Sequence, residues 1–323
     1  MKKINLAILG LGNIGGGTWQ VTEMNRELIR DRSGIDFNVK WILEKDVDRE
    51  RAFVVPRELF TQNPDDVFGD PDVDIVIELL GGIGFATDMM LRAMDAGKHV
   101  VTANKAAIAA NYEQLTGAAE KNGVMFRFEA SVGGGIPIIN SLTTALIANE
   151  YTEVMGILNG TTNYILTKMT EEGRAYDEIL KEAQAKGFAE ADPTADVEGE
   201  DVANKLSILM SLMFGVRVHP HDIPTKGITD ITAKDIEDAA RDGCVIKLVA
   251  TAFKDEKGKM TYYVSPSFIN KNHPLAGVSN EFNAIFVKGN AVGDVMFYGK
   301  GAGPLPTGSA IMGDVIEIAK LIK

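Results

Sequence analysis

The sequence of 323 residues contains one cysteine, Cys244, two tryptophans and four histidines. A lone thiol excludes an intrachain disulfide and a zinc site built from several thiolates. Cys244 lies in the apolar run DGCVIKLVATAF and reads as a buried strand or helix residue rather than a nucleophile. No run of lysine and arginine occurs, and the 33 basic residues are outnumbered by 45 acids, for a net charge of −12. That balance argues against a nucleic-acid partner and against an anionic membrane surface. No apolar stretch approaches the length of a membrane span. The apolar part of MKKINLAILG is too short for a secretory signal and leads into glycines, so a cytoplasmic protein is expected. Internal repeats and low-complexity tracts are missing as well.

What is there is an ordinary globular composition, 45% apolar and 24% charged, in a chain long enough for two domains. Residues 3–9, KINLAIL, read as a parallel strand, and GLGNIG follows at once. Gly10, Gly12 and Gly15 have the G-x-G-x-x-G spacing, and the TWQVTEMNRELIR that comes next reads as one helix. Strand, glycine turn and helix in that order form the dinucleotide fingerprint, because the pyrophosphate sits at the helix N-terminus. Gly10, Gly12, Asn13, Ile14 and Gly15 are the cofactor-binding candidates there. A second strand, FNVKWIL, ends before Glu44, Lys45 and Arg49. Glu44 could bind the ribose hydroxyls of NAD, whereas Lys45 or Arg49 could bind the extra phosphate of NADP, and the sequence leaves that choice open. VDIVIELLGG and HVVTANK are further strands, the second delivering Lys105 to a carboxyl end, where ligands of open α/β sheets bind. A helix-start surface lysine fits that position equally well. VMFRFEA closes this first domain near residue 130.

The Gly-rich SVGGGIP, residues 131–137, could bind phosphate or offer carbonyls to a cation, but a bend is its default reading, and a helix is expected after it. NGTTN, residues 159–163, could give donors to a carboxylate or cap a helix starting near Asn163. The stretch GFAEADPTADVEGEDVANK, residues 187–205, packs six acids into a loop that ends in the apolar helix VANKLSILMSLMF. Lysine is almost never fully buried without a partner, and Asp201 stands one turn before Lys205. A carboxylate-flanked lysine in a cleft suits proton transfer, and a surface i,i+4 ion pair is an equal alternative. Strands then alternate with turns to residue 300, which fits a mixed or antiparallel sheet. GKGAGPLPTGSAIMGDVIEIAK supplies a loop and a final helix from Thr307 to Lys320. That helix should pack back on the first domain and bring Gly301 over the cofactor. The expected fold is α/β: a Rossmann-type dinucleotide-binding domain over 1–130, joined by helix 303–323, and an α+β substrate and dimerisation domain over 131–302.

The chain resembles the homoserine dehydrogenase family over essentially its whole length. Ala183, Gly187, Asp192, Pro193, Asp196, Gly199, Asp201 and Lys205 stand at the spacing of that family's signature, and GLGNIG, TANK, EASVGGGIP, LNGTTN and GKGAGPLPTGSA match its other motifs. The resemblance implies a homodimer that interconverts L-aspartate 4-semialdehyde and L-homoserine with NADPH or NADH, a step toward threonine, methionine and isoleucine. It implies that Lys205 is the proton donor and that Lys105 also flanks the reacting oxygen. Glu190 would hold the substrate ammonium, Asp196 and Asp201 would order the site, and backbone at Thr161 and Thr162 would touch substrate. A monovalent cation, usually sodium, would be held at Glu129, Val132, Gly134 and Ile136, mostly by main-chain carbonyls. Phe188 stands where many relatives have tyrosine. Many also carry a C-terminal regulatory domain, and since this sequence stops at Lys323, feedback through such a domain is not expected. A nucleotide sensor would require a lost lysine or a disrupted acidic loop. A cysteine-dependent semialdehyde dehydrogenase would require a thiol in a polar motif.

Overall fold

The structure, a computed structural model, describes residues 1–322. It divides into two compact units: Met1–Gly135 together with the segment from Gly303 onward, and Ile136–Ala302. Lys323 lies outside the described residues.

In the first unit β1 (Lys2–Leu9) is so apolar that Leu6, Ala7, Ile8 and Leu9 are wholly buried, as a strand covered on both faces requires. Next come α1 (Asn13–Met24), α2 (Arg26–Ser33), β2 (Ile35–Leu43), β3 (Phe60–Thr61), α3 (Pro64–Phe68) and β4 (Ile75–Glu78). After these, α4 (Gly84–Asp95), β5 (His99–Thr102), α5 (Lys105–Asn122), β6 (Phe126–Arg127) and α6 (Ala130–Gly133) complete the run. The six strands are parallel in the order β3-β2-β1-β4-β5-β6. The order reverses between β1 and β4, and a crevice opens at the carboxyl ends of strands at such a switch point. Two expectations change here. The single helix read from Thr18 to Arg30 breaks at Asn25, whose ψ of 10° leaves the helical range, and Arg26 turns to bond the Phe37 carbonyl at 2.8 Å. The strand VMFRFEA shrinks to Phe126–Arg127, because Glu129 is already helical and its N–H donates to the Asp314 carboxylate at 2.8 Å.

The second unit has β7 (Tyr151–Ile157), α7 (Gly160–Glu172), α8 (Tyr176–Ala185), α9 (Thr194–Val197), α10 (Glu200–Phe214) and α11 (Ala233–Arg241). Then follow β8 (Cys244–Lys254), β9 (Met260–Asn270), β10 (Phe282–Gly289) and β11 (Gly293–Lys300). All pairings in its five-stranded sheet are antiparallel, in the order β11-β10-β7-β8-β9, with α7, α10 and α11 packed against it. After SVGGGIP the expected helix is a five-residue π-helical turn, Ser141–Ala145. Cys244 is half-buried at the start of β8. Further along that strand Lys247, only 4% exposed, donates to the Val278 carbonyl at 2.6 Å, to Asn163 Oδ1 at 3.0 Å and to Thr167 Oγ1 at 3.5 Å. These partners are neutral, and burial lowers the Lys247 ammonium to about 8. β11 ends the sheet with no buried residue, and Tyr298 and Met296 are exposed on it.

The last helix, α12 (Pro304–Leu321), belongs to the first unit and packs along α1. The crossing is backbone on backbone: a Cβ on Gly17 would stand 2.2 Å from the Pro304 carbonyl oxygen, and one on Gly308 would stand 2.8 Å from the Gly17 carbonyl carbon. Asp314, on the same helix, is pushed up to about 8 by burial.

Candidate active site

Lys205 sits in the second turn of α10, an apolar helix begun by Gly199 at φ +87°. Its side chain is 9% exposed and that of Asp201 is 8% exposed. The pair is therefore buried, which removes the surface ion-pair reading. Nζ donates to Asp201 Oδ2 at 2.7 Å and to the Leu158 carbonyl at 2.6 Å. Asn159 Nδ2 donates in turn to Asp201 Oδ2 at 2.9 Å and to Asp196 Oδ1 at 2.7 Å, tying the two acids together. The Asn159 Oδ1 accepts from Thr162 N at 2.9 Å, so the same residue caps α7. That helix starts at Gly160, three residues earlier than expected, because Asn159 is its cap. Thr161 Oγ1 donates to the Phe188 carbonyl at 2.6 Å and lies 3.2 Å from Asp196 Oδ2. Burial, and next the Asp201 charge, raise the Asp196 carboxyl. The result is a desolvated ammonium held against one carboxylate, with a second, protonation-prone carboxyl beside it.

Of the other residues named from sequence, Thr162 is buried and spends its hydroxyl on Asn159. Glu190 is exposed in the loop before α9, and its carboxylate has no hydrogen-bond or ion-pair partner among the described residues. The Phe188 ring lies 5.0 Å from that of Tyr164, so an aromatic face is used there without a hydroxyl. Asn159 both caps a helix and donates to carboxylates, the two uses open to NGTTN. Its signal was present in NGTTN, a cap residue followed by glycine, but the two aspartates it bridges lie 37 and 42 residues away.

In the nucleotide unit the glycine turn is shaped by what a side chain would strike. Gly10 has φ +91°, and a Cβ there would stand 2.7 Å from the Leu79 carbonyl oxygen; one on Gly15 would stand 2.1 Å from the Gly10 oxygen. Gly12 faces open space, with no heavy atom within 4 Å of such a Cβ. It begins α1, Asn13 and Ile14 follow in the first turn, and no side chain caps that end. The backbone N–H groups of an uncapped helix start suit a pyrophosphate, and the open side of Gly12 admits it. The residues present fit a dinucleotide.

At the end of β2, Glu44 Oε2 accepts from Leu11 N at 2.9 Å and Oε1 accepts from Asp46 N at 3.1 Å. Lys45 and Arg49 are exposed. Lys105 is the first residue of α5, half-buried and placed directly after the capping Asn104, so the strand it was assigned to ends at Thr102. Asn104 Nδ2 donates to the Gly82 carbonyl at 2.7 Å, and its N–H donates to Thr102 Oγ1 at 3.0 Å. The Thr102 hydroxyl donates to Glu78 at 2.6 Å, and Leu80 N donates to the same carboxylate at 2.8 Å. Glu78 is wholly buried, with its carboxyl raised by burial, and it links the two crossover turns that carry LLGG and TANK. Nothing in VDIVIELLGG marks it, because the hydroxyl it accepts from lies 24 residues further on.

Gly301 is buried, and a Cβ on it would stand 1.9 Å from Asn283 Nδ2, so its missing side chain makes room for that asparagine. Of the residues named for a cation, Glu129 is 5% exposed, Val132 is buried in α6, Gly134 has φ +57° and Ile136 is buried. No cluster of three or more His, Cys, Asp or Glu able to hold a metal occurs among the described residues. No helix among the described residues is long and apolar enough to cross a membrane.

Comparison with known proteins bears directly on this geometry. The profile described as homoserine dehydrogenase matches residues 137–316, and that described as homoserine dehydrogenase, NAD binding domain, matches residues 10–129. The homoserine dehydrogenase of Bacillus subtilis (strain 168) is 44% identical over 99% of this chain and 74% of its own length. A crystal structure of a homoserine dehydrogenase from Thiobacillus denitrificans is 42% identical with a TM-score of 0.94, covering 99% of this chain and 74% of its own. A hyperthermophilic archaeal homoserine dehydrogenase in complex with NADPH is 26% identical with a TM-score of 0.79, covering 99% of both chains. With a glycine turn suited to a dinucleotide and a desolvated lysine among acids, the chain belongs to the homoserine dehydrogenase family.

Proposed function

We propose that Lys205 is the proton donor and acceptor at the substrate oxygen, that Asp201 holds it in place, and that Lys105 is a second catalytic lysine. The reaction is the NAD(P)H-dependent interconversion of L-aspartate 4-semialdehyde and L-homoserine. The bound nicotinamide supplies the hydride. What this chain must add is a proton and a positive charge for the alkoxide that hydride addition leaves on an aldehyde. An ammonium provides both. The observation that carries this reading is the burial of Lys205 against Asp201 at 2.7 Å. Away from water, that ammonium acts on a nascent oxyanion more strongly than a solvated lysine would.

Glu190 binds the substrate ammonium in this proposal, since it is an acid close in the chain to the Phe188 carbonyl that Thr161 holds. Asp196 and Asp201 order the floor of the site, with Thr161 and Thr162 as backbone contacts. The enzyme acts as a cytoplasmic homodimer, and β11 with its exposed Tyr298 and Met296 is a face that a second copy would cover. The test is to supply L-homoserine with NAD or NADP and follow nicotinamide absorbance, with the molar mass read by light scattering. Reduction of the nicotinamide by a dimer is expected. No turnover with either cofactor would sink the assignment of Lys205.

A further inference from the structure

The geometry points to NAD rather than NADP as the dinucleotide this chain selects, with Glu44 as the selecting residue; the inference rests on the nucleotide site described above. Glu44 follows β2, the strand whose end faces the adenosine ribose in this fold. Its carboxylate is fixed from two sides, by Leu11 N inside the glycine turn at 2.9 Å and by Asp46 N at 3.1 Å. An anchored carboxylate only accepts hydrogen bonds. A ribose diol donates them, whereas a 2′-phosphate has only acceptors and brings further negative charge to the same place.

The basic residues nearby do not cancel that charge in the way a phosphate needs. Arg51 lies 3.6 Å from Glu44 with its side chain 9% exposed. Its two terminal nitrogens are engaged: Nη1 donates to the Arg49 carbonyl at 2.8 Å and the Val47 carbonyl at 3.4 Å, and Nη2 donates to the Asp46 carbonyl at 2.9 Å. The guanidinium also lies over the Phe60 ring at 5.2 Å. Turning it toward a phosphate would break the carbonyl bonds that shape residues 46–49. Arg51 thus serves the loop. Lys45 and Arg49 are exposed, and neither side chain is held in place by a hydrogen bond or ion pair among the described residues.

The experiment is a titration of the full chain with NADH and with NADPH, read by nicotinamide fluorescence, for the native protein and for Glu44→Ala and Glu44→Gln. NADH should bind at least about tenfold more tightly than NADPH. Glu44→Ala should close or invert that ratio by weakening NADH and tightening NADPH. Glu44→Gln keeps the size and one acceptor for Leu11 N, so it should recover most of the NADPH gain through loss of charge alone. NADPH binding the native protein more tightly would overturn the inference. So would a Glu44→Gln protein with the native ratio, or an Ala variant in which both affinities fall equally. If neither nucleotide binds the native protein, the nucleotide site itself fails, and this inference with it.

Discussion

Around Lys205, position is set by side chains gripping one another: Asn159 holds two aspartates, one aspartate holds the lysine, and a main-chain carbonyl completes the hold. Around Gly10 to Gly15, position is set by side chains being left out, so that backbone meets backbone and one side stays open. The first region is sensitive to charge and hydrogen bonding, the second to volume. A substitution that preserves shape should therefore spare the glycine turn and ruin the lysine well.

The largest effect should come from Lys205→Met, which keeps the stem and deletes the ammonium. Turnover is expected to fall by about 10³-fold, within the range for losing a general acid, while the fluorescence-derived affinity for the nicotinamide cofactor changes by less than about twofold. A parallel loss of cofactor affinity would show that the two regions are not separable.

Lys247 tests whether a carboxylate partner is what makes a buried lysine tolerable. Its ammonium titrates at about 8 in the folded protein against 10.5 in the unfolded chain. Between those values the unfolded state binds more protons, so this group makes stability rise with pH across the window, by up to about 3 kcal/mol in all. Denaturant unfolding at pH 8 and at pH 10 should show that rise in the native protein and a flatter response in Lys247→Met. An identical slope in both would remove Lys247 as its source.

Asn159→Ala sharpens the contrast from the acid side. It removes the cap of α7 together with both bridging bonds, at a cost of about 2 kcal/mol in unfolding free energy. Turnover should fall about tenfold, since Asp201 loses one of the bonds that fix it. Asn159→Asp should do worse, because it sets a third carboxylate beside Asp196 and Asp201.

The smallest effect on the fold, and the cleanest on binding, belongs to Gly12→Ala. A methyl group there meets nothing within 4 Å and the native φ of −75° suits alanine, so the melting temperature should stay within about 2 °C. Cofactor affinity should drop by about tenfold, because the methyl occupies the side from which the pyrophosphate approaches. Unchanged affinity would mean that the dinucleotide does not approach on that side.

How much of this was legible depended on distance along the chain. GLGNIG could be read because strand, turn and helix succeed one another within a few residues. Asp201 and Lys205 could be paired because a helix places i and i+4 together, though their burial could not be read, since the carbonyl and amide that enclose them come from Leu158 and Asn159. The middle position of β7 depends on pairing with β8 and β10, about a hundred residues or more further on, and nothing in TEVMGI announces it. Glu78 looked like one residue of an apolar strand. Its role appears only when β5 brings Thr102 beside it. Among the helices, Asn25 and the π-helical turn after SVGGGIP were missed because a helical pattern in sequence does not reveal where tertiary bonds interrupt it.

The contact between Gly17 and Gly308 joins a helix made among the first residues to one made among the last. On the ribosome, α1 emerges long before α12 exists, so its outer face must wait, uncovered, while the whole second unit is synthesised. A chain released after residue 302 would keep every strand of the parallel sheet and still lack the lid over its first helix.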